Sequence, residues 1–162
     1  MRRFRWSPAA IAIRFRRNTM DTPGNPILQV LDDYKAAVFA KDIDLFIALY
    51  DEDVRVFDMW GAWSYAGIAA WRAMAERWFR SLDTERVVVE FSHPEVIVTQ
   101  DLAVVHTFVT YKAVTADGVD LRSLDNRLTA VLRQRGNAWK IVHEHTSAPL
   151  EAETAKVIFK RE

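Results

Sequence analysis

Two of the chain's four histidines lie two positions apart in the segment WKIVHEHTS, residues 139–147. The segment is typical of a strand, and side chains alternate between the two faces of a strand. His143 and His145 therefore share a face with Trp139 and Ile141. That face runs from apolar to polar along its length, a gradient typical of a cavity that binds a small molecule.

Four interpretations of this histidine pair are open. The imidazoles can be structural groups with hydrogen-bond partners, or they can bind a ligand without chemistry. As acid–base groups they would pair with a carboxylate such as Asp58, because imidazole titrates near neutral pH. As metal ligands they would need His106 as a third donor. Glu144 must point to the opposite face, so we assign no metal.

Aromatic residues and a further histidine extend the predicted cavity. His106 lies in the segment AVVHTFVTY on one face with Phe108, again an imidazole among apolar neighbours. Trp60 and Trp63 precede the third predicted helix, where they either form an aromatic lid over the cavity mouth or pack against neighbouring residues. We therefore include these four residues among the candidate ligand contacts.

The composition predicts one folded domain. The chain has 162 residues, of which half are apolar and 12% are aromatic, enough for a sizeable core. It contains no cysteine, which excludes disulfides and thiol catalysis. No apolar run approaches the roughly 20 residues of a membrane span. We expect a soluble, cytoplasmic protein with no membrane partner.

The two ends of the chain differ from the centre. Six of the 22 basic residues lie in the first 17 residues, which contain no acidic residue. We interpret residues 1–19 as a disordered basic extension or a mis-called start before Met20, with a targeting, membrane-surface or nucleic-acid arm as alternatives. Residues 20–150 form the predicted domain, whose acidic balance argues against nucleic acid. Residues 151–162 are predicted to be a solvated, charged tail.

Three helices are predicted before a run of strands. Asn25 and Asp42 are typical N-caps for the first two helices, and the segment GIAAWRAMAERWFRSL carries an apolar stripe typical of the third. Tyr34 and Tyr50 fall on core-facing positions, either packed or donating a phenol to the cavity. After residue 83 the pattern becomes that of four strands with tight connections. Helices followed by a meander predict an α+β fold, with the helices packed on one face of a curved, mainly antiparallel sheet.

Three segments resemble the SnoaL-like, or ketosteroid-isomerase-like, superfamily with the nuclear-transport-factor (cystatin-like) fold. They are AKDIDLFIALYDEDVRVFD, YAGIAAWRAMAERWF and NRLTAVLRQRGNAWKIVHEHTSAP, and the likeness spans about residues 25–149. The last segment is also similar to the end of the association domain of calcium/calmodulin-dependent kinases. The resemblance implies a cone-shaped fold with a cavity and a homodimer, but no particular reaction.

The resemblance also implies which side chains face the cavity. It aligns Asp58 with the position of a catalytic base, and it makes the face with Arg127 and Thr129 the pocket side of its strand. The alternate residues Leu124, Leu128 and Leu132 would then face away from the cavity, where so much exposed apolar surface is typical of a dimer interface.

These observations predict a protein that binds a small, largely apolar molecule with a polar or anionic group. It either performs acid–base chemistry of the isomerase, cyclase or dehydratase type, without a cofactor, or is a non-catalytic association module. The candidate catalytic residues are Asp58, His143 and His145. The candidate ligand-binding residues are Trp60, Trp63, His106, Phe108, Arg127, Thr129 and Ser147.

Overall fold

The computed structural model describes residues 16–17 and 24–161. Three helices are followed by most of the sheet, as predicted. They are α1 (Pro26–Ala40), α2 (Ile43–Ala48) and α3 (Ile68–Ser81). The Asn25 side chain accepts a hydrogen bond from the Ile27 N–H, and that of Asp42 accepts one from the Leu45 N–H. Both predicted N-caps are therefore present.

Seven strands form one curved sheet. They are β1 (Arg16–Arg17), β2 (Tyr50–Phe57), β3 (Tyr65–Ala66), β4 (Arg86–Val98), β5 (Leu102–Val114), β6 (Asp120–Arg135) and β7 (Ala138–Ser147). Their order is β1-β4-β5-β6-β7-β2-β3, and every neighbouring pair is antiparallel except β2 and β7. The helices pack on one face, so the predicted α+β cone is confirmed.

The core lies between the helices and the inner face of the sheet. Each helix contributes one side, with Val38 from α1, Phe46 from α2 and Ala75 from α3 fully buried. Val54 and Val105 meet them from the sheet. Burying such apolar side chains contributes about 1.5–3 kcal/mol each relative to exposure. This packed layer therefore holds the three helices in place on the sheet.

The predicted orientation of the β6 leucines is wrong. Leu128 is 2% exposed and Leu132 1%, both within the core beneath the helices, while Leu124 lines the cavity. The alternation along β6 is therefore opposite to that implied by the resemblance. A homodimer through the outer sheet face stays a prediction, but these leucines no longer argue for it.

Both ends of the chain make contacts with the sheet. Arg16 and Arg17 pair with Val98 and Ile97 at the β4 edge; the rest of the predicted extension, residues 1–15 and 18–19, lies outside the described residues. At the other end, a bridge between Leu150 and Val157 folds the terminal segment back on itself, and a hydrogen bond from the Asp125 N–H to the Phe159 carbonyl joins it to β6. No helix in the described part of the chain is long and apolar enough to cross a membrane.

Candidate active site

A cavity of about 530 Å³ lies between the helices and the inner sheet face. Its walls are mainly apolar, and they come from α3 and from strands β4 to β6. The apolar wall residues are Trp71, Met74, Trp78, Leu82, Val87, Ala113 and Leu124. The volume is in the range of sites for small organic molecules.

Two carboxyl groups face this apolar space, Asp58 at the end of β2 and Glu144 on β7. Glu144 is 2% exposed, and its Oε2 accepts a hydrogen bond of 2.9 Å from the Tyr50 hydroxyl. Burial raises the pKa of Glu144 to about 7; the hydrogen bond from Tyr50 opposes this rise and the nearby charge of Asp58 adds to it. Glu144 can therefore exchange a proton near neutral pH.

Asp58 has a more polar environment than Glu144. The Thr146 hydroxyl donates a hydrogen bond of 2.8 Å to Asp58 Oδ1 and accepts one of 3.0 Å from the Met59 N–H. Burial raises the pKa of Asp58, while Thr146 and the N–H groups of Met59 and Trp60 stabilise the carboxylate and limit the rise. The two carboxyls thus sit in different environments, the condition under which one serves as base and the other as acid.

A pair of phenols forms the next polar feature of the wall. The hydroxyls of Tyr34 on α1 and Tyr111 on β5 lie 2.9 Å apart, and both residues line the cavity. Burial is the main cause that raises the pKa of each phenol, so both stay protonated. One hydroxyl donates to the other, which leaves the second proton available to a ligand oxygen.

Two buried polar atoms in the wall lack partners. Asn126 is 4% exposed, and its Oδ1 accepts no hydrogen bond from the described residues. The Trp71 Nε1–H makes no hydrogen bond of normal geometry with them either, although it lies near enough to the Tyr50 hydroxyl to act against the rise of that phenol's pKa. Unpartnered buried polar groups are uncommon in folded proteins and mark places where a ligand can supply the missing bond.

The predicted position of the two histidines in the cavity is wrong, and a β-bulge is the reason. In the ladder between β6 and β7, Leu132 pairs with Ile141 but Val131 pairs with His143, so Val142 is an extra residue. The bulge reverses the alternation. Ile141 and Glu144 both face inward, and the histidines face outward.

The histidine rings lie on the outer face of the sheet, beside the exposed Phe57. The Phe57 ring centroid is 5.0 Å from that of His143 and 6.0 Å from that of His145. His143 Nδ1 is 2.8 Å from the Arg55 carbonyl oxygen and donates to it. This contact supports the first of the four interpretations left open by the sequence, in which His143 is a structural group with a hydrogen-bond partner.

The same reversal moves the candidate ligand contacts of the central strands. Arg127 pairs with Phe108 and Ser147, and Thr129 with His106, all by register along the outer face. None of these five lines the cavity. Their positions contradict the predicted pocket side, because Asn126, Leu128 and Ala130 take the inward positions between them.

The two hairpin tryptophans differ from each other. Trp60 lines the mouth of the cavity, as predicted for a lid. Trp63 is 99% exposed and touches no wall of the cavity. Within residues 24–161 no three His, Asp or Glu side chains are grouped to hold a metal ion.

The SnoaL-like domain family matches residues 27–151. This chain belongs to the SnoaL-like family. Among curated proteins, none is significantly similar to it.

Solved structures with the same SnoaL-like architecture are numerous. An NTF2-like protein of unknown function from Pseudomonas putida KT2440 is 30% identical, with a TM-score of 0.73, over 84% of this chain and 93% of that one. A proposed calcium/calmodulin-dependent protein kinase II association domain from Xanthomonas campestris is 20% identical, with a TM-score of 0.68, over 82% and 91%. A cystatin-like protein from Nostoc punctiforme is 14% identical, with a TM-score of 0.62, over 75% and 86%. The last two show the fold alone.

Sequence reasoning missed several groups of this SnoaL-like cavity. Glu144 was excluded by the alternation argument, and Asn126 was never singled out. Tyr111 was passed over, although its strand position, two residues from the inward Val109, is a readable signal. Of the predicted catalytic and ligand-binding residues, the structure brings Asp58 and Trp60 together at the cavity and places the others outside. Tyr34, considered as a possible phenol donor, also lines it.

Proposed function

We propose that this SnoaL-like protein performs acid–base chemistry on a small, largely apolar molecule bound in the cavity. The observation that carries the proposal is the pair of carboxyls, Asp58 and Glu144, set in different environments of one apolar cavity. The pKa of both is raised. Groups with perturbed pKa values that converge on a cavity are typical of catalytic sites.

The different environments of the two carboxyl groups indicate which is the base and which is the acid. Asp58 accepts hydrogen bonds from Thr146 and two backbone N–H groups, which favour its ionised form, so it is the proposed base. Glu144, with a pKa of about 7, retains a proton for part of the time at neutral pH and is the proposed acid. A phenol of the Tyr34–Tyr111 pair donates a further hydrogen bond to a ligand oxygen.

The reacting group of the ligand is proposed to be neutral, such as a carbonyl or a hydroxyl. Two carboxyl groups already face the cavity, and a third negative charge would be repelled in this apolar space. Arg122 lines the cavity mouth, but its guanidinium forms a two-point ion pair with Glu85. Arg127, one of the predicted ligand-binding residues and a cation that could pair with an anion, lies on the outer face. These observations favour a polar over an anionic group.

The unfilled cavity supports ligand binding over the alternative of an association module. An association module needs no internal space, and its own side chains would be expected to fill it. Here about 530 Å³ is left between helices and sheet. Empty space of this size forgoes packing contacts, and a bound ligand restores them.

An enolisable bicyclic ketone tests the proposed chemistry. In D₂O, Asp58 would remove a C1 proton of 2-tetralone while the carbonyl oxygen is hydrogen-bonded by Glu144 or a phenol; return of a deuteron completes the exchange. Loss of the C1 proton signal is followed by NMR. We expect Asp58→Asn to slow the protein-dependent exchange by roughly 100-fold or more. His145→Ala, on the outer face, is the matched control. Exchange that the wild type does not accelerate, or that Asp58→Asn leaves intact, would refute the assigned chemistry.

A further inference from the structure

The last segment of the chain contributes a residue to the cavity although it lies beyond the family match. The matched residues end at position 151. Residues 150–161, here called the strap, fold back onto the domain, and Phe159 joins the cavity lining. Its ring stacks on that of Trp60, with centroids 5.5 Å apart and planes at 11°. The two rings are therefore parallel and offset-stacked, one against the other, at the cavity mouth.

Contacts of Phe159 and of the two residues after it hold the strap against β5 and β6. The Asp125 N–H donates a hydrogen bond of 2.8 Å to the Phe159 carbonyl, and the Arg161 N–H donates one of 2.9 Å to the Asp125 carboxylate. The Arg161 guanidinium lies 4.2 Å from the Phe108 ring centroid. Lys160 bonds to the Ser123 hydroxyl. These contacts fix the position of Phe159 in the cavity lining.

The strap is held by its end and not by a buried core. Every residue from Glu151 to Ile158 is exposed, whereas Phe159 is partly buried. Segments with few buried contacts open locally at low free energy, without unfolding of the domain. Surface ion pairs and single cation–π contacts add little against such opening. The strap can therefore lift while the sheet beneath it stays folded.

We propose that the strap is a lid over the cavity and that Phe159 is a specificity-determining residue that packs on a flat aromatic ligand. Phe159 brings a flat ring, held parallel to that of Trp60, to the cavity lining. Trp71 and Trp78 line the same cavity. Planar rings gain most from offset stacking on such surfaces. The inference rests on ligand binding in the proposed function, and is independent of the acid–base step.

The neutral fluorescent probe N-phenyl-1-naphthylamine tests the lid. Energy transfer from the cavity tryptophans to the probe reports its binding, and stopped flow separates the association and dissociation rates. We expect Phe159→Ala to raise the dissociation rate constant by roughly threefold to tenfold, the effect of one aromatic pair. A chain ending at Leu150 should show at least the same rise. Arg161→Ala, which keeps Phe159 but removes an anchor, should speed both association and dissociation, as expected for a lid that opens more often.

The matched control is Ile158→Ala in the same strap, because Ile158 is exposed and lines only a side crevice beneath the strap. Phe159→Trp, which restores a planar ring, should restore slow dissociation, and thermal melts should show all variants folded. Wild-type rates in Phe159→Ala would overturn the lid while leaving the proposed function intact. No energy transfer in the wild type would instead overturn ligand binding in the cavity, and the lid with it.

Discussion

The Tyr50 hydroxyl donates a hydrogen bond of 2.9 Å to Glu144 Oε2 across 94 positions of sequence. The phenol and the carboxyl group are both buried, so the bond joins the start of β2 to the inward side of β7 behind the cavity wall. It gives one oxygen of Glu144 a fixed partner. In the proposed function, the other oxygen acts on the ligand.

The buried carboxyl predicts an unusual pH dependence of stability. The pKa of Glu144 is about 7 in the folded protein against 4.5 for its ordinary value, so the folded state binds the proton more tightly than the unfolded state. Its contribution to the free energy of unfolding therefore falls as pH rises from about 4.5 to 7, by about 3 kcal/mol. Urea denaturation of the wild type and Glu144→Gln at each pH measures it, because the amide does not titrate.

The difference in unfolding free energy between these two proteins isolates Glu144 from other groups. Asp51, for example, has a pKa lowered mainly by its hydrogen bond from Arg135, so its contribution is lost only at more acidic pH. A wild-type minus Glu144→Gln difference that stays constant between pH 4.5 and 7 would contradict the assigned pKa.

The outer-face histidines predict a negative result for binding. His143→Ala and His145→Ala should leave the affinity for N-phenyl-1-naphthylamine in the cavity unchanged within about twofold, because both rings lie on the other side of the sheet. Glu144→Ala should change affinity, since it alters the cavity wall directly. Fluorescence titration of the three variants measures this. Loss of affinity in His143→Ala alone would mean that the Val142 bulge is absent.

The elements were predictable from the chain, but the site was predictable only in part. Caps at Asn25 and Asp42 and the change of period after residue 83 are local signals, so the helices and the meander followed from them. The cone followed from the resemblance to the SnoaL-like family. The resemblance aligned Asp58 with a position in the pocket, and Asp58 lines the cavity. The face of β7 was not predicted correctly, because Val142 fits an inward and a bulged position equally well. The bulge is decided by pairing with β6, which no local pattern reports.

The other incorrect predictions have the same physical origin, namely contacts between segments that are distant in the sequence. On β6, both alternating faces contain residues compatible with burial, so the choice between the Leu128 face and the Arg127 face depends on the helices above. Phe159 lies in a charge-rich segment whose composition is typical of a solvated tail. Its contact with Trp60 joins positions that are distant in the chain, and only the folded domain brings them together.

Leu128 lies in the core and not at a predicted dimer interface, so its replacement should affect the stability of the fold. Because Leu128 is 2% exposed in the core, Leu128→Ala should lower the free energy of unfolding by about 2–5 kcal/mol through lost contacts and a residual cavity. Leu121→Ala on the same strand, where the side chain is 46% exposed, should cost far less. Denaturation curves and sedimentation velocity together test it. A folded, equally stable Leu128→Ala protein with a smaller sedimentation coefficient would place this leucine at a subunit interface.

Replacing Asn126 should affect the stability of the fold and the affinity for ligand in opposite directions. Its Oδ1 is buried without a partner among the described residues, and such a group costs about 1–3 kcal/mol relative to one that is bonded or exposed. Leucine has a similar shape and no polar atom. We therefore expect Asn126→Leu to unfold at the same or a higher urea concentration than the wild type, by up to about 1 kcal/mol.

The same variant should bind ligands with oxygen functions less well. The Asn126 amide lines the cavity, and its Oδ1 can accept a hydrogen bond from the hydroxyl of 2-tetralol. Removing it leaves that hydroxyl with one partner fewer, an affinity loss of about fivefold to tenfold for a neutral hydrogen bond. Affinity for N-phenyl-1-naphthylamine, which depends mainly on apolar contact, should change little and serves as the control ligand. The two affinities are measured by tryptophan fluorescence on the same preparation. Asn126→Leu that is clearly less stable than the wild type and binds both probes equally well would show that the amide has a structural partner and no role toward ligand.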